Sequence, residues 1–125
     1  MTEPRRILIV EDNADAAEGL AAFMEVVGYV PAIAPDGLTG VEAAQSNPPA
    51  AILCDIGLPG ISGYEVAKRL RQDERLRSVP MVAITGYAQY SDRQHALSAG
   101  FDEHMAKPVD LDRLLGFLAD RLPDA

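Results

Sequence analysis

Five short apolar runs punctuate the chain, and each is followed by a stretch in which apolar residues recur at helical spacing. Arg6-Ile7-Leu8-Ile9-Val10 is the first run and reads as a buried strand. Glu11 and Asp12 follow at its carboxyl end. Asn13 is a good N-cap, with Asp15 in the first turn. Leu20, Phe23, Met24 and Val27 then predict a helix over 14–27, stopped by Gly28 at C′. Tyr29 to Ala34 predicts a second strand, with Pro31 suited to a sheet edge. Asp36-Gly37 reads as a turn, and Leu38, Val41, Glu42 and Ala44 predict a short helix that ends before Pro48-Pro49. The third run, Ala51-Ile52-Leu53-Cys54-Asp55, ends in a carboxylate and is bounded by the breaker-rich loop Gly57-Leu58-Pro59-Gly60. Ser62 caps a predicted helix from Gly63 to Gln72, with Tyr64, Val66 and Leu70 facing inward. Pro80 precedes a fourth buried strand, Met81-Val82-Ala83-Ile84, which ends at Thr85-Gly86. Ser91 or Asp92 opens the next helix and Gly100 closes it. Phe101 to Ala106 predicts a fifth strand ending at Lys107-Pro108. Asp110 caps a last helix with Leu111, Leu114, Leu115 and Leu118 inward.

Strand and helix thus alternate five times. Right-handed crossovers leave few solutions for such a pattern other than a parallel sheet with helices on both faces. The chain has 125 residues and is 48% hydrophobic, enough for one sizeable core, so it reads as a single domain over 1–125. Its net charge of -8 disfavours nucleic acid and anionic membrane surfaces as direct partners. Cys54 stands alone, which excludes an internal disulfide and a cysteine-built metal site; it reads as a small buried residue. The apolar run behind the amino terminus is too short for a signal peptide or a membrane span, so a cytoplasmic location is expected.

Four strand ends carry polar groups: Glu11-Asp12, Asp55, Thr85 and Lys107. Parallel strands point their carboxyl ends one way, and an open α/β sheet binds its ligands along that edge. Three carboxylates gathered there repel one another and raise one another's pKa values. A hard divalent cation relieves that strain and prefers oxygen ligands. A carboxylate also serves as a nucleophile toward phosphorus. Lys107 would neutralise phosphoryl oxygens, Thr85 would donate to one of them, and Gly86 leaves room beside them.

Taken together, the acidic pair after strand 1, Asp55-Ile56-Gly57-Leu58-Pro59-Gly60, Ile84-Thr85-Gly86 and Lys107-Pro108 resemble the receiver domain of two-component response regulators. The resemblance covers essentially the full length. It implies a flavodoxin-like α/β sandwich with a five-stranded parallel sheet of order 2-1-3-4-5. It implies that Asp55 accepts a phosphoryl group from a histidine kinase or a histidine phosphotransfer protein. It implies Mg²⁺ held directly by Asp12, Asp55 and the Gly57 carbonyl, with Glu11 acting mainly through water. Lys107 would pair with the phosphoryl group, and the Lys107-Pro108 bond would be cis. Such a chain is a signalling module with weak self-phosphorylating and self-dephosphorylating activity, not an enzyme.

Two positions depart from the family pattern. Three residues before the lysine, where the family often places Tyr or Phe as a lever coupled to the threonine, stands His104. It reads either as a partly exposed strand residue or as a switch whose packing weakens as pH falls. His95 reads as helix surface. Two residues after Asp55 stands Gly57, with no side chain to screen a phosphoryl group. These choices, together with Gly86-Tyr87 and Ala99-Gly100-Phe101, look more like receivers joined to hybrid sensor kinases or stand-alone receivers than like those of transcription factors. Output is therefore expected through protein contact by a monomer or weak dimer, on the helix after Thr85, the fifth strand and the last helix. An Asp-nucleophile phosphohydrolase is the first alternative, but Gly57 stands where such enzymes need a second acid. A scaffold that kept only the fold is another, and the filled motif positions count against it. A flavin-binding protein would need a Ser/Thr-rich phosphate loop after strand 1, which is lacking.

Overall fold

The computed structural model describes residues 5–86 and 90–122, and of residues 90 and 91 the backbone alone. Tyr87 of the loop read above, and the Ser91 side chain as a cap, lie outside it.

Five strands, β1 (Arg6–Val10), β2 (Val30–Ala34), β3 (Ala51–Asp55), β4 (Met81–Thr85) and β5 (Glu103–Ala106), form one parallel sheet of order β2-β1-β3-β4-β5. This is the flavodoxin-like order that the resemblance implied. The helices are α1 (Ala14–Val26), α2 (Gly37–Ser46), α3 (Gly63–Arg71), α4 (Tyr90–Ala99) and α5 (Leu111–Arg121). Alternation along the strands divides the core in two. Leu8, Val10, Ile52, Cys54, Met81 and Ala83 pack with Val41, Val66, Leu70 and Ala96 from α2, α3 and α4. Ile7, Ile9, Leu53, Val82, Ile84 and Met105 pack with Ala17 and Met24 of α1 and Leu114 and Leu118 of α5. Both faces are covered, which is why the inner strands read as continuous apolar runs.

The caps are local and explain the boundaries. Asn13 accepts from the Ala16 N–H at 3.0 Å, Ser62 from the Glu65 N–H at 3.3 Å, and Asp110 from the Arg113 N–H at 3.1 Å. Gly28 and Gly100 follow α1 and α4 with φ of 100° and 121°, a conformation that glycine adopts without strain. Cys54 is fully buried, and burial pushes its thiol pKa well up, which leaves it unreactive.

β2 lies at the edge, where Pro31 was expected. The Val30 N–H donates to the Arg5 carbonyl at 2.9 Å, and the Ala34 carbonyl accepts from the Glu11 N–H at 3.0 Å. Alternation then turns the backbones of Pro31 and Ile33 away from β1.

Some expectations shift. Asp36-Gly37 is no free turn: Asp36 caps α2 by accepting from the Thr39 N–H at 2.8 Å, so the helix starts at Gly37. Leu38 and Glu42 face solvent, and the buried stripe of α2 is Gly37, Gly40, Val41 and Ala44. α4 opens at Tyr90, before Ser91 and Asp92. β5 starts at Glu103, because the Phe101 N–H closes α4 on the Ala96 carbonyl at 3.1 Å. In α5, Leu111 is 37% exposed, so the inner face rests on Leu114 and Leu118. A 3₁₀ turn, Glu74–Leu76, was not foreseen; capped by Asp73, it buries Leu76.

Candidate functional site

Sheet register gathers the predicted residues. Val10 pairs with Cys54, Asp55 with Ile84, and Thr85 with Ala106, so the residues at or just past four strand ends lie side by side. Glu11, Asp55 and Thr85 are buried, whereas Asp12 is exposed. Asp55 is fixed by the loop that follows it. The Ile56 N–H donates to the Ile84 carbonyl at 3.1 Å, and the Gly63 N–H donates back to the Ile56 carbonyl at 2.9 Å. A Cβ on Gly63 would collide with the backbone carbonyl of Asp55, so only glycine lets α3 begin here. The Gly57 N–H donates to Asp55 Oδ1 at 3.2 Å. Among the described residues a Cβ at Gly57 or Gly86 would meet nothing within 4 Å.

Lys107 is placed beside the cluster by its N–H, which donates to the Thr85 carbonyl at 2.8 Å; its bond to Pro108 is cis, as the resemblance implied. Its Nζ donates to Glu11 Oε1 at 2.7 Å and to Asp55 Oδ2 at 3.1 Å. Glu11 Oε2 accepts from the Asn13 N–H at 3.3 Å. Burial raises the Glu11 pKa, and neighbouring Asp55 adds to this while the Lys107 contact opposes it. Burial alone would lower the Lys107 pKa, but its bonds to Glu11 and Asp55 outweigh that and the net shift is upward.

Carboxylate oxygens of Glu11, Asp12 and Asp55 lie within 4.8 Å of one another. One ammonium faces three carboxylates, which leaves the cluster short of positive charge. The donors are all oxygen, the set a hard divalent cation prefers, so the residues fit Mg²⁺.

His104 is 7% exposed, so its reading as a partly exposed strand residue is corrected: β5 turns it into the sheet face opposite Met105. Among the described residues its Nε2 has no hydrogen-bond partner, and burial lowers its pKa. His95 is on the surface of α4 as read, but its ring stacks on Tyr64 of α3 at 3.7 Å between centroids and 12° between planes.

Two features escaped the sequence reading. Gly63 signals only as a glycine after a cap, the commonest of signals. A cavity of about 320 Å³ beside the cluster, between α1 and the segment after β5, has no sequence signature.

The family model for the response regulator receiver domain matches residues 7–119. The polar-differentiation response regulator DivK of Brucella anthropi is 33% identical over 122 residues, covering 98% of this chain and 99% of that protein. A chain assigned as a response regulator from Chloroflexus aurantiacus superposes with a TM-score of 0.91 at 30% identity, covering 98% of this chain and 100% of that one. The receiver domain of a sensor histidine kinase from Pseudomonas aeruginosa, with a magnesium ion coordinated in its active-site cleft, superposes with a TM-score of 0.89 at 32% identity and the same coverage.

Proposed function

The chain belongs to the response regulator receiver family, and from that premise we propose that Asp55 is its phosphoacceptor, loaded from a phosphohistidine on a histidine kinase or histidine phosphotransfer protein. The observation that carries this reading is the contact of Lys107 with Asp55 inside an acidic cluster at the carboxyl edge of the sheet. An Asp55 oxygen bonds to phosphorus as the phosphorus–nitrogen bond breaks, and imidazole leaves with the electron pair. Lys107 exchanges a carboxylate partner for a phosphoryl oxygen, and the Thr85 hydroxyl donates to another. Asp12, Asp55 and the Gly57 carbonyl would hold Mg²⁺ directly and Glu11 through water. When bound, the ion supplies positive charge to the phosphoryl oxygens.

Gly57 favours a carrier over a phosphohydrolase, since no second acid stands there for proton transfer. Slow loss of the phosphoryl group to water is the residual chemistry expected. A net charge of -8 favours a protein as the downstream target, received on α4, β5 and α5, the elements that flank Thr85 and Lys107 along the chain. Among the described residues no helix is long and apolar enough to cross a membrane.

The test is intact mass after incubation with Mg²⁺ and acetyl phosphate. One base-labile phosphoryl mass is expected, lost in Asp55→Asn. Full labelling of that variant would overturn the assignment.

A further inference from the structure

The cavity beside the acidic cluster is lined at one end by Glu11, Asp55 and Lys107, on the α1 side by Asp15 as well as by small and apolar residues, and elsewhere by apolar groups. Its floor includes Leu53 and Ile84, from the two central strands that carry Asp55 and Thr85. One wall is α1 with Ala16 and Gly19; the other is the segment after β5 with Val109 and Leu111. Two oddities meet in these walls. Gly19 sits in the interior of α1, where glycine weakens a helix, yet a Cβ there would meet nothing within 4 Å, so packing does not demand it. Leu111 has the spacing of a core residue but lines the cavity instead. Both choices keep an apolar slot open against the carboxylate proposed to be the nucleophile.

We propose that this slot takes the apolar tail of a small acyl phosphate, so that the chain loads itself preferentially from donors longer than acetyl phosphate. The inference rests on Asp55 being the acceptor and names a donor class for the same site. The two parts of such a donor match the two parts of the cavity: a phosphoryl dianion for Lys107 and an uncharged alkyl tail for the walls. An anionic tail would have to be desolvated there beside the carboxylates of Glu11 and Asp15. In the reaction an Asp55 oxygen bonds to phosphorus, the bond from phosphorus to the acyl oxygen breaks, and the carboxylate leaves with the electron pair. No proton is required. The energy of burying the tail is available to raise the labelling rate if the tail stays seated in the transition state.

The experiment compares labelling rates of the full chain with acetyl, propionyl and butyryl phosphate in Mg²⁺ buffer, read by intact mass, with phosphoramidate as a donor that has no tail. The rate is expected to rise about three- to fourfold for each added methylene. Gly19→Leu, which fills the slot and favours the helix, should bring the butyryl-to-acetyl ratio down to about one; Ala16→Leu provides a second filling variant. A flat or falling series in the parent, with phosphoramidate labelling intact, overturns the proposal. So does a steep series that survives in both variants. Absence of labelling by every donor would instead overturn Asp55 as the acceptor.

Discussion

Charge is handled differently at the two ends of the sheet. At the amino end, Arg71 at the close of α3 donates from Nε to the Gly100 carbonyl at 2.9 Å. Its Nη1 reaches the carbonyls of Leu76, Arg77 and Val79 at 2.7 to 3.0 Å, and its Nη2 meets Asp102 Oδ2 at 3.0 Å. The same Asp102 oxygen accepts from the Met81 N–H at 2.9 Å. One guanidinium thus holds together the entries to β4 and β5. At the carboxyl end, Lys107 serves two of three carboxylates, and negative charge is left over. The first arrangement nearly exhausts its donors and has nothing left to bind with. The second is unbalanced: its surplus negative charge suits a cation, and the proposed phosphoacceptor Asp55 lies within it. Stability and reactivity are thereby assigned to opposite ends of the same strands.

The largest effect that tests this contrast is expected at the amino end. Arg71→Ala should lower unfolding stability by about 3 kcal/mol, because several partly buried carbonyls and Asp102 lose a charged donor together. The urea midpoint should fall with an unchanged m-value, while Asp55 still labels. Arg71→Lys should recover little of this, since an ammonium lacks the planar fork. A loss below about 0.5 kcal/mol would mean that water replaces the guanidinium.

At the carboxyl end the sign should reverse. Asp12→Asn removes one of three crowded charges and should raise stability in metal-free buffer by about 0.5 kcal/mol. The same variant should bind Mg²⁺ at least about tenfold more weakly by titration calorimetry. Lower stability together with unchanged Mg²⁺ affinity would show that Asp12 is an ordinary surface carboxylate.

The smallest effect concerns His104, which resembles neither end: a buried group with one nitrogen that meets no hydrogen-bond partner among the described residues. Burial holds its pKa below the ordinary 6.5, so between the two values the unfolded chain binds more protons. Its contribution is therefore complete above pH 6.5 and is lost as pH falls through the folded value. The groups that bear on it are Asp92 and Arg93 of α4, Glu103 beside it and Arg113 of α5. Thermal melts from pH 7.5 to 5.5 should show a steeper loss in the parent than in His104→Phe. Parallel slopes would leave His104 without a titrating role.

The two ends also differed in how far the sequence disclosed them. The carboxyl end was legible because each site residue terminates an apolar run, and parallel topology alone brings such ends together. Glu11, Asp12, Asp55, Thr85 and Lys107 needed no knowledge of loop paths. The amino end was not legible. Arg71 reaches across 29 residues to Gly100 and 31 to Asp102, and nothing near residue 71 indicates which loops converge there. Leu111 misled for a related reason: helical periodicity locates an apolar stripe, but whether the outermost member meets the core or a cavity wall depends on α1. His104 was ambiguous because a lone polar residue in a short edge strand carries no periodic signal of burial.

The prolines of the first edge strand bear on how copies of this protein behave when crowded. Pro31 turns its nitrogen outward from β2 and Pro35 follows the strand; neither carries an N–H, so an approaching strand finds the Ile33 N–H between two gaps. Ile33 is itself 45% exposed, a side chain that would otherwise invite contact. Two molecules that collide along this edge cannot build a continuous hydrogen-bonded ladder, and growth of one sheet into the next is stopped at its first step. Colliding chains can stick there through Ile33, but they cannot nucleate a fibre on β2.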